Sequence, residues 1–355
     1  MTLEDVSIET FRGDLEGLER MAHFSWRDEY GIASFPNFYR PAFLRFLFDR
    51  IKPEEKDHLI AAYRGQEIVA FLANLPQRFH YRGRIYRSIY SCLLVTRKEF
   101  LRKGMAIALI QEALKVNQKY RYDFSLLTLE TGHRSTKLMN KFKSEGQRLE
   151  WVRKTHVIAR ILDLGRVSHS EGLKGWEKGA IKLLGSHRPP KAKPGLALRE
   201  YKAEDVGQCL ALLDRYHETV TLALAYDAKE LAWELDYPDV SKTLVFEKEG
   251  RIQGMINFIW HEHLGKTKER WAWINHVAYP DLSGKERYAF VQAFLKYIQE
   301  AGCVGTIEWA RKYYPLRPFY RARFFPYFRA VNLVSWTFNP EISLANIPDV
   351  HEIQV

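Results

Sequence analysis

The sequence predicts two tandem copies of one mixed α/β domain, and three observations carry that expectation. Apolar residues alternate between β-rich runs and helical spacing in the order strand, helix, helix, three meandering strands, helix, strand, helix, strand. The same order returns beyond a Pro- and Lys-rich stretch near residue 190, where the hairpin turn Gly65-Gln66-Glu67 is answered by Gly250-Arg251-Ile252. A chain of 355 residues, 46% of them hydrophobic, is also long enough to build two cores.

Each element follows from its local pattern. A first strand is expected over 6–10 and a helix over 15–24. An aromatic loop with Trp26, Tyr30, Phe35, Phe38 and Tyr39 leads to a second helix over 41–51. Strands over 58–63 and 67–75 flank the turn at Arg64-Gly65, and a third runs over 88–96. After a helix come a strand over 123–130, a helix over 133–143 that stops at Gly146, and a strand over 150–162 expected to close the sheet. The second copy repeats this with strands or helices over 196–201, 203–216, 228–235, 243–247, 252–260, 271–278, 285–301, 304–310, 316–323 and 327–338. The expected organisation is a first domain over 1–163, a linker with one short helix over 164–195, a second domain over 196–340 and a tail over 341–355.

The first copy is organised around residues 93–114, where a strand runs into the basic turn Arg102-Lys103-Gly104 and then a helix with Ile107, Leu109, Ile110, Ala113 and Leu114 at helical spacing. The opening turn of such a helix has backbone N–H groups without partners, and its dipole adds partial positive charge. Gly104 lets a ligand come close, so the junction is a socket for a phosphate. A plain scaffold would also read as strand, turn and helix. The stretch Leu101-Arg102-Lys103-Gly104-Met105-Ala106, however, resembles the pyrophosphate signature (Arg/Gln)-x-x-Gly-x-(Gly/Ala) of the GNAT superfamily of acyl-CoA N-acyltransferases, and the element order is that of the same superfamily. Leu101 departs from the pattern at its first position, but the backbone N–H groups, Arg102 and Lys103 retain the socket.

What this resemblance implies is a pair of GNAT-like domains, each a mainly antiparallel twisted sheet flanked by helices. It implies an acyl-CoA donor, taken as acetyl-CoA, and transfer to a primary amine of a small or amino-acid-like acceptor, without a metal. The backbone of Leu94, Val95 and Thr96 would pair with the pantetheine arm. Leu101, Arg102, Lys103, Gly104, Met105, Ala106 and Ile107 would form the socket, and Ser135 would stand where the family places an Asn. Amide formation needs a base, N–H groups that polarise the thioester carbonyl, and an acid for the departing thiolate. Glu130 and His133 are the candidates for the base. Phe142 occupies the position of the family's Tyr acid, which leaves water or the hydroxyl of Tyr90. The aromatic loop borders the acceptor pocket in this superfamily; here it is expected to pack the helices.

The second copy has YPDLSGKERYAF where the first has its socket, and Asp281 would repel a pyrophosphate. His276, Glu308 and Tyr320, at matching positions, are expected to be core or surface groups. The net charge of +11 favours anions, but the basic residues are spread along the chain, so nucleic acid is not the expected partner. No run approaches 18 apolar residues and the N-terminus is acidic, which predicts a cytoplasmic protein without a membrane partner; a homodimer is compatible with the sequence. Cys92, Cys209 and Cys303 lie far apart in apolar runs and are expected as buried free thiols. Two other readings keep the fold. One is a non-catalytic acyl-CoA sensor, suggested by Phe142 and Leu101. The other is a transferase using aminoacyl-tRNA, which suits the charge but not the intact Gly104 turn.

Overall fold

The computed structural model describes residues 5–131, 134–144, 146–192 and 198–351, with the backbone alone at 134 and 327–329. In the first half, β1 (Ser7–Thr10) leads to α1 (Leu15–Phe24), whose start is capped by the Asp14 carboxylate accepting the Gly17 N–H at 2.8 Å. A π-helical turn at Ser25–Glu29 precedes β2 (Phe35–Pro36) and α2 (Pro41–Phe48). The meander is β3 (Leu59–Arg64), β4 (Glu67–Tyr81) and β5 (Arg84–Thr96), followed by α3 (Met105–Lys119), β6 (Phe124–Glu130), α4 (Arg134–Ser144) and β7 (Leu149–Ile161). Two helices, α5 (Leu164–Glu171) and α6 (Gly175–Leu184), stand where the sequence predicted one.

The second half runs β8 (Leu198–Glu200), α7 (Val206–His217), β9 (Leu222–Leu224), α8 (Ala228–Leu235), β10 (Ser241–Lys248), β11 (Arg251–Leu264), β12 (Lys268–Ala278), α9 (Gly284–Glu300), β13 (Gly305–Glu308), α10 (Arg317–Arg321) and β14 (Phe325–Thr337). A last strand, β15 (Val350–His351), pairs with β9.

The described strands form one continuous sheet in the order β1-β3-β4-β5-β6-β14-β7-β13-β12-β11-β10-β8. Its pairings are antiparallel except β5 with β6, β12 with β13 and β15 with β9. β7 does not close the sheet of the first half, as the sequence had suggested. β14 lies between β6 and β7, pairing Val331–Thr337 with Glu130–Phe124 on one side, while β7 pairs Ile158–Ile161 with Glu308–Gly305 of β13. A second exchange accompanies the first: β2 pairs with β11 of the second half and β9 with β4 of the first. The two copies are therefore interlaced about an approximate two-fold relation.

Packing follows the exchange. One core buries Phe43, Leu44, Phe46 and Leu47 of α2 against β4 and β5, and into it come Leu222, Leu224, Ile342, Leu344 and Val350 from the second half. The segment expected as a tail is thus anchored, with Ile342, Leu344, Ile347, Val350 and His351 buried. A second core gathers α7 and α9 over β11 and β12, and a third places Leu109, Ile110, Ala113 and Val116 of α3 on the opposite face of the first half. Among the described residues, no helix is long and apolar enough to cross a membrane.

Candidate active site

β5 and β6 run side by side from Ser88 and Phe124 to Ser91 and Leu127, and then part. The cause lies on the other edge of β5. Val95 is opposite Phe71 and Cys92 opposite Ala73, so Leu72 faces two residues, Leu93 and Leu94. This is a bulge, which bends its strand away from a neighbour. Leu93 takes a left-handed backbone, φ 56°, at a cost of about 1–2 kcal/mol for a side chain of its kind. Two hydroxyls hold the bend: Tyr39 donates to the Leu93 carbonyl at 2.9 Å, and Tyr30 donates to the Thr96 carbonyl. Burial raises the Tyr39 pKa well above its ordinary value, so its proton stays in place.

The apex of the fork is polar and tied together. Tyr90 donates to the Thr128 hydroxyl at 3.0 Å, the rung at which the strands begin to separate. Behind it, the Ser91 hydroxyl donates to Asn74 at 2.7 Å and meets Ser125 at 2.9 Å, while Asn74 donates to Asn117 of α3 at 3.3 Å. α3 is in this way fixed to the last paired rung, so its opening turn has a set position relative to the fork.

That opening turn follows directly from β5. Arg97 joins Glu29 at 3.2 Å and Glu67 at 2.7 Å, the Lys98 N–H donates to Glu29 at 2.8 Å, and a 3-10 turn over Lys98–Phe100 buries the Phe100 ring. Arg102, φ 62°, and Gly104, φ 89°, are both left-handed, and Gly104 is the N-cap of α3 with no side chain capping it. The Lys103 N–H is taken by the Phe100 carbonyl at 3.2 Å. The first N–H groups of α3 therefore open outward beside two exposed basic side chains, an arrangement suited to an anion.

The matching helix of the second copy is built the opposite way. Ser283 caps α9 by accepting the Glu286 N–H at 3.3 Å, and the Glu286 carboxylate returns to the Ser283 N–H at 2.9 Å. Asp281, two residues earlier, is gripped by Arg215, which holds its carboxyl below the usual range. A carboxylate already fills this helix terminus, and an added anion would have to expel it.

The sequence-predicted residues fall around these features as follows. Leu94 is partly exposed at the bulge; Val95 and Thr96 are buried beside it. Leu101 is half-buried at the end of the turn, Met105 is buried, and Ala106 and Ile107 lie half-buried in the first turn of α3. Tyr90 is buried at the apex, and Glu130 is exposed at the end of β6, on the far wall of the fork. Ser135 is half-buried in the first turn of α4, and His133 lies outside the described residues. Phe142 packs on Trp336 of β14 with ring centres 5.2 Å apart, so its position is filled by core.

Among the matching groups of the second copy, Glu308 pairs with Arg311 at 3.2 Å, His276 meets His351 at 3.0 Å and Tyr320 is exposed. The aromatic loop packs, as expected: Trp26 meets Phe35 and Tyr39 edge-on at 5.1 and 5.4 Å, and Phe38 reaches Trp273 of the second half at 5.3 Å. The three cysteines are free and buried, and burial pushes Cys209 and Cys303 up to about 12.

Sequence reasoning missed the hydroxyls of Tyr30 and Tyr39, and it missed a buried ion pair. Glu234 of α8, 1% exposed, meets Arg50 at 2.5 Å and Asn275 at 3.4 Å, and burial raises its pKa. Its partners lie far apart in the chain, so no spacing could have signalled them.

No protein-family model and no curated protein matches the sequence. Solved structures do match the fold. The chain is similar over 100% of its length, and over 86% of that chain, to Saccharomyces cerevisiae N-myristoyltransferase with bound myristoyl-CoA, at TM-score 0.79 and 16% identity. The same enzyme with myristoyl-CoA and inhibitors gives TM-score 0.77 at 17% identity, over 100% of this chain and 88% of that one. A GCN5-related N-acetyltransferase from Kribbella flavida gives TM-score 0.53 at 12% identity, over 94% of this chain and 71% of that one. At such identities the likeness is one of fold, and it agrees with the duplicated element order, the forked strands and the glycine turn: this chain is a tandem GNAT-fold protein whose two copies share a single sheet.

Proposed function

We propose that the protein is an acyl-CoA-dependent N-acyltransferase whose reaction site is the fork of the first half. The observation that carries this reading is the contrast between the two copies: α3 starts uncapped on a left-handed glycine beside a bulged strand, while α9 is closed by its own Ser283 and Glu286. In this reading the diphosphate of the donor rests on the first turn of α3, and its arm lies along Leu94 and Val95. The amine nitrogen attacks the thioester carbonyl carbon and gives a proton to a base, the carbon–sulfur bond breaks, and the departing thiolate takes up a proton to leave as the thiol. Glu130 on the far wall is the carboxylate we assign to that base, and Tyr90, bonded to Thr128 at the apex, is the hydroxyl we assign to protonating the sulfur.

Acetyl-CoA and a small amine were the expectations from sequence. The whole-length likeness to structures holding myristoyl-CoA supports a longer acyl chain, and with it an amine on a peptide or protein. Calorimetry with CoA, acetyl-CoA and myristoyl-CoA tests the socket. Micromolar binding is expected, strongest for the long-chain donor, and loss of about a hundredfold on Gly104→Glu, which places a carboxylate and an unfavourable side chain at φ 89°. No binding at millimolar ligand refutes the reading. Thiol release with peptide and small-amine panels then separates a transferase from a sensor, which would bind without turnover.

A further inference from the structure

We propose that α6 is a lipid-surface helix that seats the protein on an anionic phospholipid bilayer. This goes beyond the transferase reading and does not depend on it. α6 directs one buried side chain, Ile181, into the protein, where it joins Val167 and Trp271. Its outer face is apolar along the axis: Trp176, Ala180 and Leu183 stand at i, i+4 and i+7, with Trp176 71% and Leu183 88% exposed. Leu184 beside them is 50% exposed. Scattered exposed apolar residues are ordinary, but a stripe containing a Trp and two Leu on ten residues is not.

The side of the helix away from this stripe is basic, with Lys174, Lys178 and Lys182 at i, i+4 and i+8. Arg188 and Lys191 are exposed just beyond the helix. The one acid of α6, Glu177, is committed to the Lys174 N–H at 2.6 Å. An apolar face carrying Trp and Leu with lysines on the opposite, polar face is the pattern of a helix lying in the headgroup plane of a bilayer. At ten residues α6 is too short to span one. A second copy of the chain is a poorer occupant, because it brings the same surplus of positive charge to the contact, whereas an anionic surface complements it. The helix is held for this role at its far end, where Arg323 donates to the Leu184 carbonyl at 3.3 Å and Gly185 closes it in a left-handed turn. The inference revises the expectation from sequence that no membrane is involved, which considered only spanning segments.

The test is sedimentation of the full chain with phosphatidylcholine vesicles, with and without phosphatidylserine. The expected result is binding that needs phosphatidylserine, weakens with salt, and falls about tenfold in both Leu183→Glu and Lys182→Glu. Both side chains are exposed, so the unfolding midpoint and CoA binding of the variants should equal those of the parent. Absence of phosphatidylserine-dependent binding by the parent overturns the proposal, as does undiminished binding by Leu183→Glu. A dimer that Leu183→Glu abolishes in light scattering would also overturn it, by assigning the stripe to a second copy.

Discussion

Tyr39 shows how much a single hydroxyl can decide. Its ring belongs to the aromatic packing between α1 and α2, and its oxygen reaches the carbonyl of Leu93 at 2.9 Å. Tyr39→Phe keeps the packing and leaves that buried carbonyl without its donor, at an expected cost of about 1–3 kcal/mol. Because the bond sits on the left-handed residue of the bulge, donor binding should weaken more than stability alone explains. Urea titration and calorimetry on the one variant check both parts. At this scale the sequence was half legible. The Arg102-Lys103-Gly104 turn is contiguous and declares its chemistry, whereas Tyr39 declared only its ring, and Glu234 gave no sign of Arg50. Contacts made across the fold depend on which elements become neighbours, and local spacing does not record that.

Among the elements, α3 and α9 occupy equivalent places and differ at their first turns, which is why one copy is open to an anion. The Ser283-x-x-Glu286 box is a local signal that the sequence reading passed over in favour of Asp281, whereas the turn at Gly104 was legible. α5 was not, because LGRVSHSE buries only Val167 and Ser170 and shows no apolar period. Its signals were the Asp163 cap, which accepts the Arg166 N–H at 3.0 Å, and Gly172 at its end.

The strand β15 carries a pH prediction. His351 Nε2 meets His276 Nδ1 at 3.0 Å, and Tyr226 lies 3.4 Å from the other nitrogen of His276. Burial lowers His276 to about 3 and His351 well below its ordinary value, with Arg311 acting in the same direction on both and His217 on His351. In the unfolded chain both protonate near pH 6.5, so the unfolded state takes up protons that the folded state refuses. The stability they contribute is complete above pH 6.5 and is lost as pH falls below it, at about 1.4 kcal/mol per pH unit for His276 down to about 3. Urea midpoints measured from pH 7.5 to 4.5 should fall accordingly, and His276→Asn should flatten the acid limb.

For the molecule as a whole, the duplication could be read from the order of elements, but the interlacing could not. Both β7 and β14 read as ordinary final strands; only the sheet reveals that each lies against the other copy. A fragment of residues 1–163 would leave β6 without β14 and its core without Leu222, Leu224 and Ile342. Such a fragment is expected to be insoluble or to exchange strands with a second copy, and the full chain to unfold in one transition by circular dichroism and tryptophan fluorescence. A stable monomeric fragment with native-like dichroism would contradict this.

The strand β14 also sets a timetable. During synthesis, the edge formed by residues 124–130 must wait for residues 331–337, some two hundred positions later on the message. A nascent chain therefore carries an unfilled gap in its sheet while all the intervening residues are made, when mispairing with other chains is easiest. Chaperone demand should peak in that interval and subside once the missing ribbon leaves the ribosome.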